Sequence, residues 1–150
     1  MSSPALLAIA RAAGMLWTSP NTVIGLVAGI VGIAFGAHAH VSPRNLAVVF
    51  HDWPWGPGGA VTLGNIILHT GDTLDSQCVT YAHRAGQGVE PMILLSDHER
   101  AHVYQYMALG PLFLPLYAAC GGISARNRFE RAADHYARSG RGWWPWRRSE

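Results

Sequence analysis

Ser96-Asp97-His98-Glu99-Arg100-Ala101-His102 is the stretch whose reading decides how the chain folds, because it contains the pattern His-Glu-x-x-His. On an α-helix, positions four apart stand one turn apart on one face, so His98 and His102 can aim two imidazole nitrogens at one metal ion. Glu99 projects beside that point, where a general base takes a proton from an activated water. The triplet therefore encodes Zn2+ chemistry, usually peptide hydrolysis. The bland alternative is an amphipathic helix with two histidines on its polar or half-buried face. Ser96-x-x-Glu99 also spells a capping box, in which Glu99 turns back to the backbone; a helix that opens at Pro91 avoids that conflict, and one that opens at Ser96 does not. On either start His98, His102, Gln105 and Leu109 share a face. Gln105 thus lies one turn beyond the second histidine, placed to orient a ligand or to satisfy a buried polar site.

Working towards the C-terminus, Val103 to Ser124 carries no formal charge and is long enough to span a bilayer. Beyond it, Asn127 to Asp134 reads as a helix start, with Glu130 and Asp134 again four apart. A hydrolytic zinc site has three protein ligands plus water, and His, His, Glu is a common set. Asp134 can accept a hydrogen bond from the far nitrogen of a ligand imidazole and fix its tautomer. A single span over Val103 to Ser124 would carry Glu130 roughly 30 Å from the histidines and forbid a shared ion. A break at Gly110-Pro111 resolves the conflict and predicts a helical hairpin, packed in the core or dipped into a membrane. The competing reading makes Glu130 and Asp134 ordinary surface partners of Arg126, Arg131 and Arg138.

His98-Glu99-x-x-His102 followed by Glu130-x-x-Ala133-Asp134 resembles the paired signature of gluzincin metallopeptidases of the HtpX and CAAX-prenyl-protease type. Those are membrane enzymes with HExxH on one helix and ExxxD on another. The segment HExxHVxQYxxxGPLFxPxY with the following NxFExxA also resembles a set of small bacterial membrane-associated proteins regarded as zinc peptidases, over about Thr62 to Ala137. The resemblance implies a zinc site of His98, His102 and Glu130 with Glu99 as base. Two departures stand out: the chain lacks the several transmembrane helices of the larger families, and Arg100 replaces the small or apolar residue usual after the catalytic Glu. Tyr104, Tyr106 and His135 are the candidates for stabilising an oxyanion.

Towards the N-terminus, Pro4 to Trp17 reads as a short helix with one charge, Arg11, interrupted at Thr18-Ser19-Pro20-Asn21. Thr22 to Val41 has no formal charge and is about the length that crosses a hydrocarbon core ~30 Å thick, so a transmembrane helix is expected there. Gly25, Gly29, Gly32 and Gly36 repeat the small-xxx-small spacing that lets another helix approach. The rival reading is a secretory signal, since Ala37-His38-Ala39 fits a cleavage site. Ten of the eleven basic residues lie after this segment, a weak hint of a cytoplasmic C-terminal part. Apolar residues make up 49% and charged ones 13%, about half the usual charged share, which suits a chain partly facing lipid.

Between anchor and motif, Leu46 to Phe50, Ala60 to Leu63 and Ile66 to His69 are separated by turn residues and read as a small antiparallel sheet of two or three strands. An exposed strand edge beside the ion would hold an extended peptide. His69 and His83 are possible extra ligands, and Cys78 and Cys120 read as free thiols. Nucleic acid is not indicated, because no basic stripe interleaved with aromatics precedes the last residues. There Trp143, Trp144, Trp146, Arg141, Arg147 and Arg148 suit a lipid headgroup zone or a partner-binding tail.

The expected organisation is α+β: a helix and membrane anchor over 1–41, a zincin-like metal-binding domain over 42–138, and an Arg/Trp-rich tail over 139–150. The expected function is a membrane-anchored zinc metallopeptidase of the bacterial inner membrane acting on a peptide or protein. A membrane-associated structural or binding protein with a stapling metal is the alternative. An exported domain cleaved near Ala39 is the third reading.

Overall fold

The computed structural model describes residues 3–146, so Arg147 and Arg148 lie outside the described residues. The fold is mixed α+β. Helices α1 (Pro4–Trp17) and α2 (Ser19–Ile33) lead into strands β1 (His38–Ser42), β2 (Ala47–His51), β3 (Ala60–Leu63) and β4 (Ile66–His69). A short pair, β5 (Gln77–Cys78) and β6 (Ile93–Leu94), flanks α3 (Tyr81–Arg84) and delivers the chain into α4 (Leu95–Leu109). A 3-10 turn at Gly110–Leu112, α5 (Phe113–Ala119) and α6 (Arg128–Ser139) complete it.

The four-stranded sheet has the order β1-β2-β4-β3, which leaves β3 on an edge. It differs from the expected small antiparallel sheet of two or three strands in two ways. The β2–β4 pair is parallel, and β1 is formed by residues read from sequence as the end of an anchor helix. Helix α2 stops at Ile33, and Gly36, at φ 104°, turns the backbone out of helical space. Thr22 to Val41 is therefore not one helix. No single described helix is long and apolar enough to cross a membrane; α1 and α2 together would reach by length and composition, but they are bent by 67° at Thr18, the one residue between them.

The glycine stripe of α2 has a specific packing reason. A Cβ at Gly25 would fall within 3.0 Å of Leu63 and Ile66, one at Gly29 inside the Phe50 ring, and one at Gly32 against Trp53. At Gly25, Gly29 and Gly32 the close approach expected of this stripe is thus made by the sheet and the Trp53 side chain, while Gly36 faces open space. Trp53 adds a hydrogen bond from its indole N–H to the Ala28 carbonyl at 3.1 Å. The opposite side of α2 leaves Val23, Ile24, Val27, Ile30 and Val31 exposed, and α1 exposes Leu6, Ile9 and Leu16.

The other face of the sheet packs on α4 through Ala47, Val49, Ile67, Leu95 and Val103. Helix α4 ends at the expected break, where Gly110 takes φ 55° with the Trp17 indole lying directly on it. Asn21 of α2 donates to the Gly110 carbonyl at 2.9 Å, tying the first helices to this break. Asn127, fully buried, then caps α6 by accepting from the Phe129 N–H at 2.9 Å while donating to the Tyr117 and Gly122 carbonyls. One side chain thereby fixes both the return loop and the start of the helix that carries Glu130. The described part of the tail packs on the domain: Trp143 with Tyr104 and Tyr136, and Trp146 edge-on to Phe129.

Gly29→Ala should destabilise the fold by roughly 1–3 kcal/mol, because its new methyl has to displace a buried aromatic ring. Thermal unfolding measures this, and an unchanged melting temperature would contradict the α2–sheet packing.

Candidate metal centre

Helix α4 begins at Leu95, so Ser96 lies inside it and no capping box forms. Ser96 donates its hydroxyl to Asp75 instead, and Glu99 is free for other work. Asp97 in the first turn is held by Arg44 and by Arg100, each at 2.7 Å. Arg100 lies over the Tyr136 ring, outside the cleft described below, which explains how a large cation is accommodated beside Glu99.

His98, His102 and Glu130 are buried together, and one ligand atom from each lies within 4.8 Å of the others. His98 Nε2 stands 3.1 Å from Glu130 Oε2 and 3.1 Å from His102 Nε2, which is 3.2 Å from Glu130 Oε2. That triangle is close to the separation of about 3.4 Å expected of neighbouring ligands around a tetrahedral ion with bonds of about 2.1 Å. The far ring nitrogens decide the tautomers. His98 Nδ1 is 2.9 Å from Asp134 Oδ1, and His102 Nδ1 is 2.8 Å from Gln105 Oε1.

The orientation of the Gln105 amide is not ambiguous. Its Nε2 donates to the carbonyls of Phe129 and Trp143, leaving its oxygen as an acceptor for His102. Both imidazoles therefore carry hydrogen on Nδ1, and the Nε2 lone pairs converge on a carboxylate oxygen. Three acceptors with no donor among them require a cation or added protons. The residues present fit a metal ion.

Glu99 does not join the triangle. Its Oε2 accepts from Thr62 Oγ1 at 2.6 Å, so the centre of edge strand β3 holds the carboxylate beside the histidines. A cleft of ≈ 230 Å³ opens on these groups, walled by the whole of β3, by Phe113, Leu114 and Ile123, and by Tyr81, Tyr106 and Tyr117. Tyr117 donates its hydroxyl to Glu130 Oε1, and the Tyr81 backbone N–H donates to Asp134 Oδ2 at 2.9 Å. Burial, then the charge of Glu130, raises the hydroxyls of both Tyr81 and Tyr117 far above the usual tyrosine range, so both remain donors.

The sequence-derived residues divide as follows. His98, His102, Glu130, Glu99, Asp134 and Gln105 are brought together. Tyr106 lines the cleft, stacked on Phe113, while Tyr104 packs on the far side of α4 and His135 is not among the lining residues. His69 and His83 are outside the cluster, and Cys78 and Cys120 are free thiols. Thr62, Tyr81 and Tyr117 line the same cleft and were not among the candidates read from the sequence. Only Tyr117 left a signal, as an aromatic on the returning limb of the hairpin. Comparison of the chain with protein-family models, with curated proteins and with solved structures gives no match.

With protons in place of a cation, burial opposes the charging of His98, but hydrogen bonds to Asp134 and Glu130 hold its pKa well above 6.5. His102 is raised as well, Glu130 overriding burial. Burial works against ionisation of Glu130 too, and His102 and His98 nevertheless hold it far below 4.5. The raised imidazoles contribute stability that is complete below 6.5 and lost as pH rises through their folded values. The depressed carboxylate contributes above 4.5 and loses its contribution as pH falls through its folded value. Chelator-treated protein should therefore melt at a lower temperature at about pH 8 than at about pH 5.5, and added Zn2+ should raise the melting temperature more at the higher pH, where protons compete less for the same lone pairs. A zinc increment that is equal at both pH values would contradict the shared site.

Proposed function

We propose that this chain is a membrane-associated zinc metallopeptidase of the gluzincin kind. The observation that carries the reading is the placement of Glu99, held by Thr62 beside a three-atom His-His-Glu triangle that opens into a cleft along an unpaired strand edge. Two nitrogens and one oxygen form a donor set suited to zinc, and three protein ligands with an open side match hydrolytic centres better than structural ones, which four ligands close. A bound zinc ion would supply Lewis-acid activation of a water and of the scissile carbonyl.

The chain's own groups would do the rest. An extended peptide pairs with the free edge of β3, which sets its carbonyl against the cleft floor. Glu99 takes a proton from the attacking water and delivers it to the leaving amine. Thr62 holds the carboxylate in line for both transfers. Asp134 and Gln105 keep the two imidazoles in the tautomer that presents Nε2. Tyr81 and Tyr106 are the protonated hydroxyls lining the cleft that can meet developing negative charge, while Tyr117 donates its hydroxyl to Glu130 and orients that carboxylate. The exposed apolar sides of α1 and α2 support attachment to a lipid surface.

Glu99→Gln should retain its zinc and lose cleavage of a quenched fluorescent peptide library by at least about a hundredfold, assayed on full-length protein. Wild-type rates in this variant would end the catalytic reading. A wild-type protein that holds stoichiometric zinc, cuts no library member and loses thermal stability in His98→Ala would point to a metal that only staples the fold.

A further inference from the structure

Four of the eight histidines stand apart from the cleft, on one patch of the sheet. His38 and His40 alternate along β1 and so share a face. His51 ends β2 opposite His38 in register, and His69 ends β4, the next strand across. His51 and His69 are buried, and their Nδ1 atoms stand 3.3 Å apart. The His38 and His40 rings lie 5.3 and 6.0 Å from that of His51. Both β1 histidines are exposed and can turn towards the pair.

We propose that His51 and His69, completed by His38 and His40 from edge strand β1, form a second metal site for a borderline divalent ion such as Zn2+. Two buried imidazole nitrogens already stand at about the 3.4 Å spacing of neighbouring ligands on one tetrahedral ion. Imidazole donors select Zn2+, Ni2+ or Cu2+ over the oxygen-seeking Mg2+ and Ca2+. Asp52 and Asp72 add negative charge on the same side, Asp52 Oδ2 lying 3.5 Å from His38 Nδ1. A cavity of ≈ 430 Å³ reaches His38, His40, His51 and Asp72 from solvent; His69 lies behind His51 and outside its lining, and Arg44, which also borders it, is engaged by Asp75 and Asp97. The bound ion would clamp β1, which pairs only with β2 in the sheet, across to β4. The site does not depend on the peptidase reading.

Zn2+ alone is the probe. Full-length protein is stripped with chelator, dialysed against Zn2+ and analysed for metal and protein. Wild type should hold about two ions per chain, and His51→Gln/His69→Gln and His98→Gln/His102→Gln about one each. If the buried pair of substitutions prevents folding, His38→Ala/His40→Ala replaces it; these exposed changes should weaken the second ion by about tenfold or more and leave the first unchanged. The proposal is overturned by a wild-type content of one ion that is lost with His98→Gln/His102→Gln, by two ions retained in His51→Gln/His69→Gln, or by unaltered affinity in His38→Ala/His40→Ala.

Discussion

Helices α4 and α6 present three polar groups, His98, His102 and Glu130, to one point, and much of the structure serves that constraint. Asp134 and Gln105 turn the two imidazoles so that their Nε2 atoms meet at Glu130. The residues responsible are buried, and buried ionisable groups are tolerated only when paired. Helices α4 and α6 therefore have one acceptable register. Ala101 and Ala133, both fully buried, allow the close approach this register needs. The Gly110 turn, the Asn127 cap and the aromatic stack of Tyr106, Phe113 and Tyr117 hold the intervening chain so that the register is kept.

The sheet completes the arrangement from the other side. It is sandwiched between α2, whose glycines let Phe50 and Trp53 in close, and α4, whose apolar side covers Val49 and Ile67. This sandwich brings β3 alongside α4 and places Thr62 against Glu99. An edge strand, the Glu99 carboxylate and the His98-His102-Glu130 triangle thus border one cleft. Each has an ordinary packing role, and their coincidence is what makes the peptidase proposal chemically specific.

The site was legible in sequence to the extent that it rests on helical spacing. His98, His102, Gln105, Glu130 and Asp134 follow from positions three and four apart, and the break at Gly110-Pro111 follows from requiring the two halves to meet. Strand pairing is non-local, so the parallel β2–β4 contact was hidden although the strand segments themselves were visible. His38 to Ser42 alternates, but it adjoins a long apolar run and read as the end of a helix. The glycine stripe announced a close approach but not what makes it, because close packing on a sheet and close packing on a helix require the same small residues. Thr62 and Tyr81 reach the site through tertiary contacts that no local pattern encodes.

The central claim is that His98, His102 and Glu130 hold one metal ion together, and anomalous diffraction from crystals of the zinc-loaded protein tests it most directly. The account predicts a zinc peak bonded to both Nε2 atoms and to a Glu130 carboxylate oxygen at about 2.0–2.2 Å, with no fourth protein ligand. A peak that omits Glu130, or one closed by a further side chain such as Glu99, would contradict it.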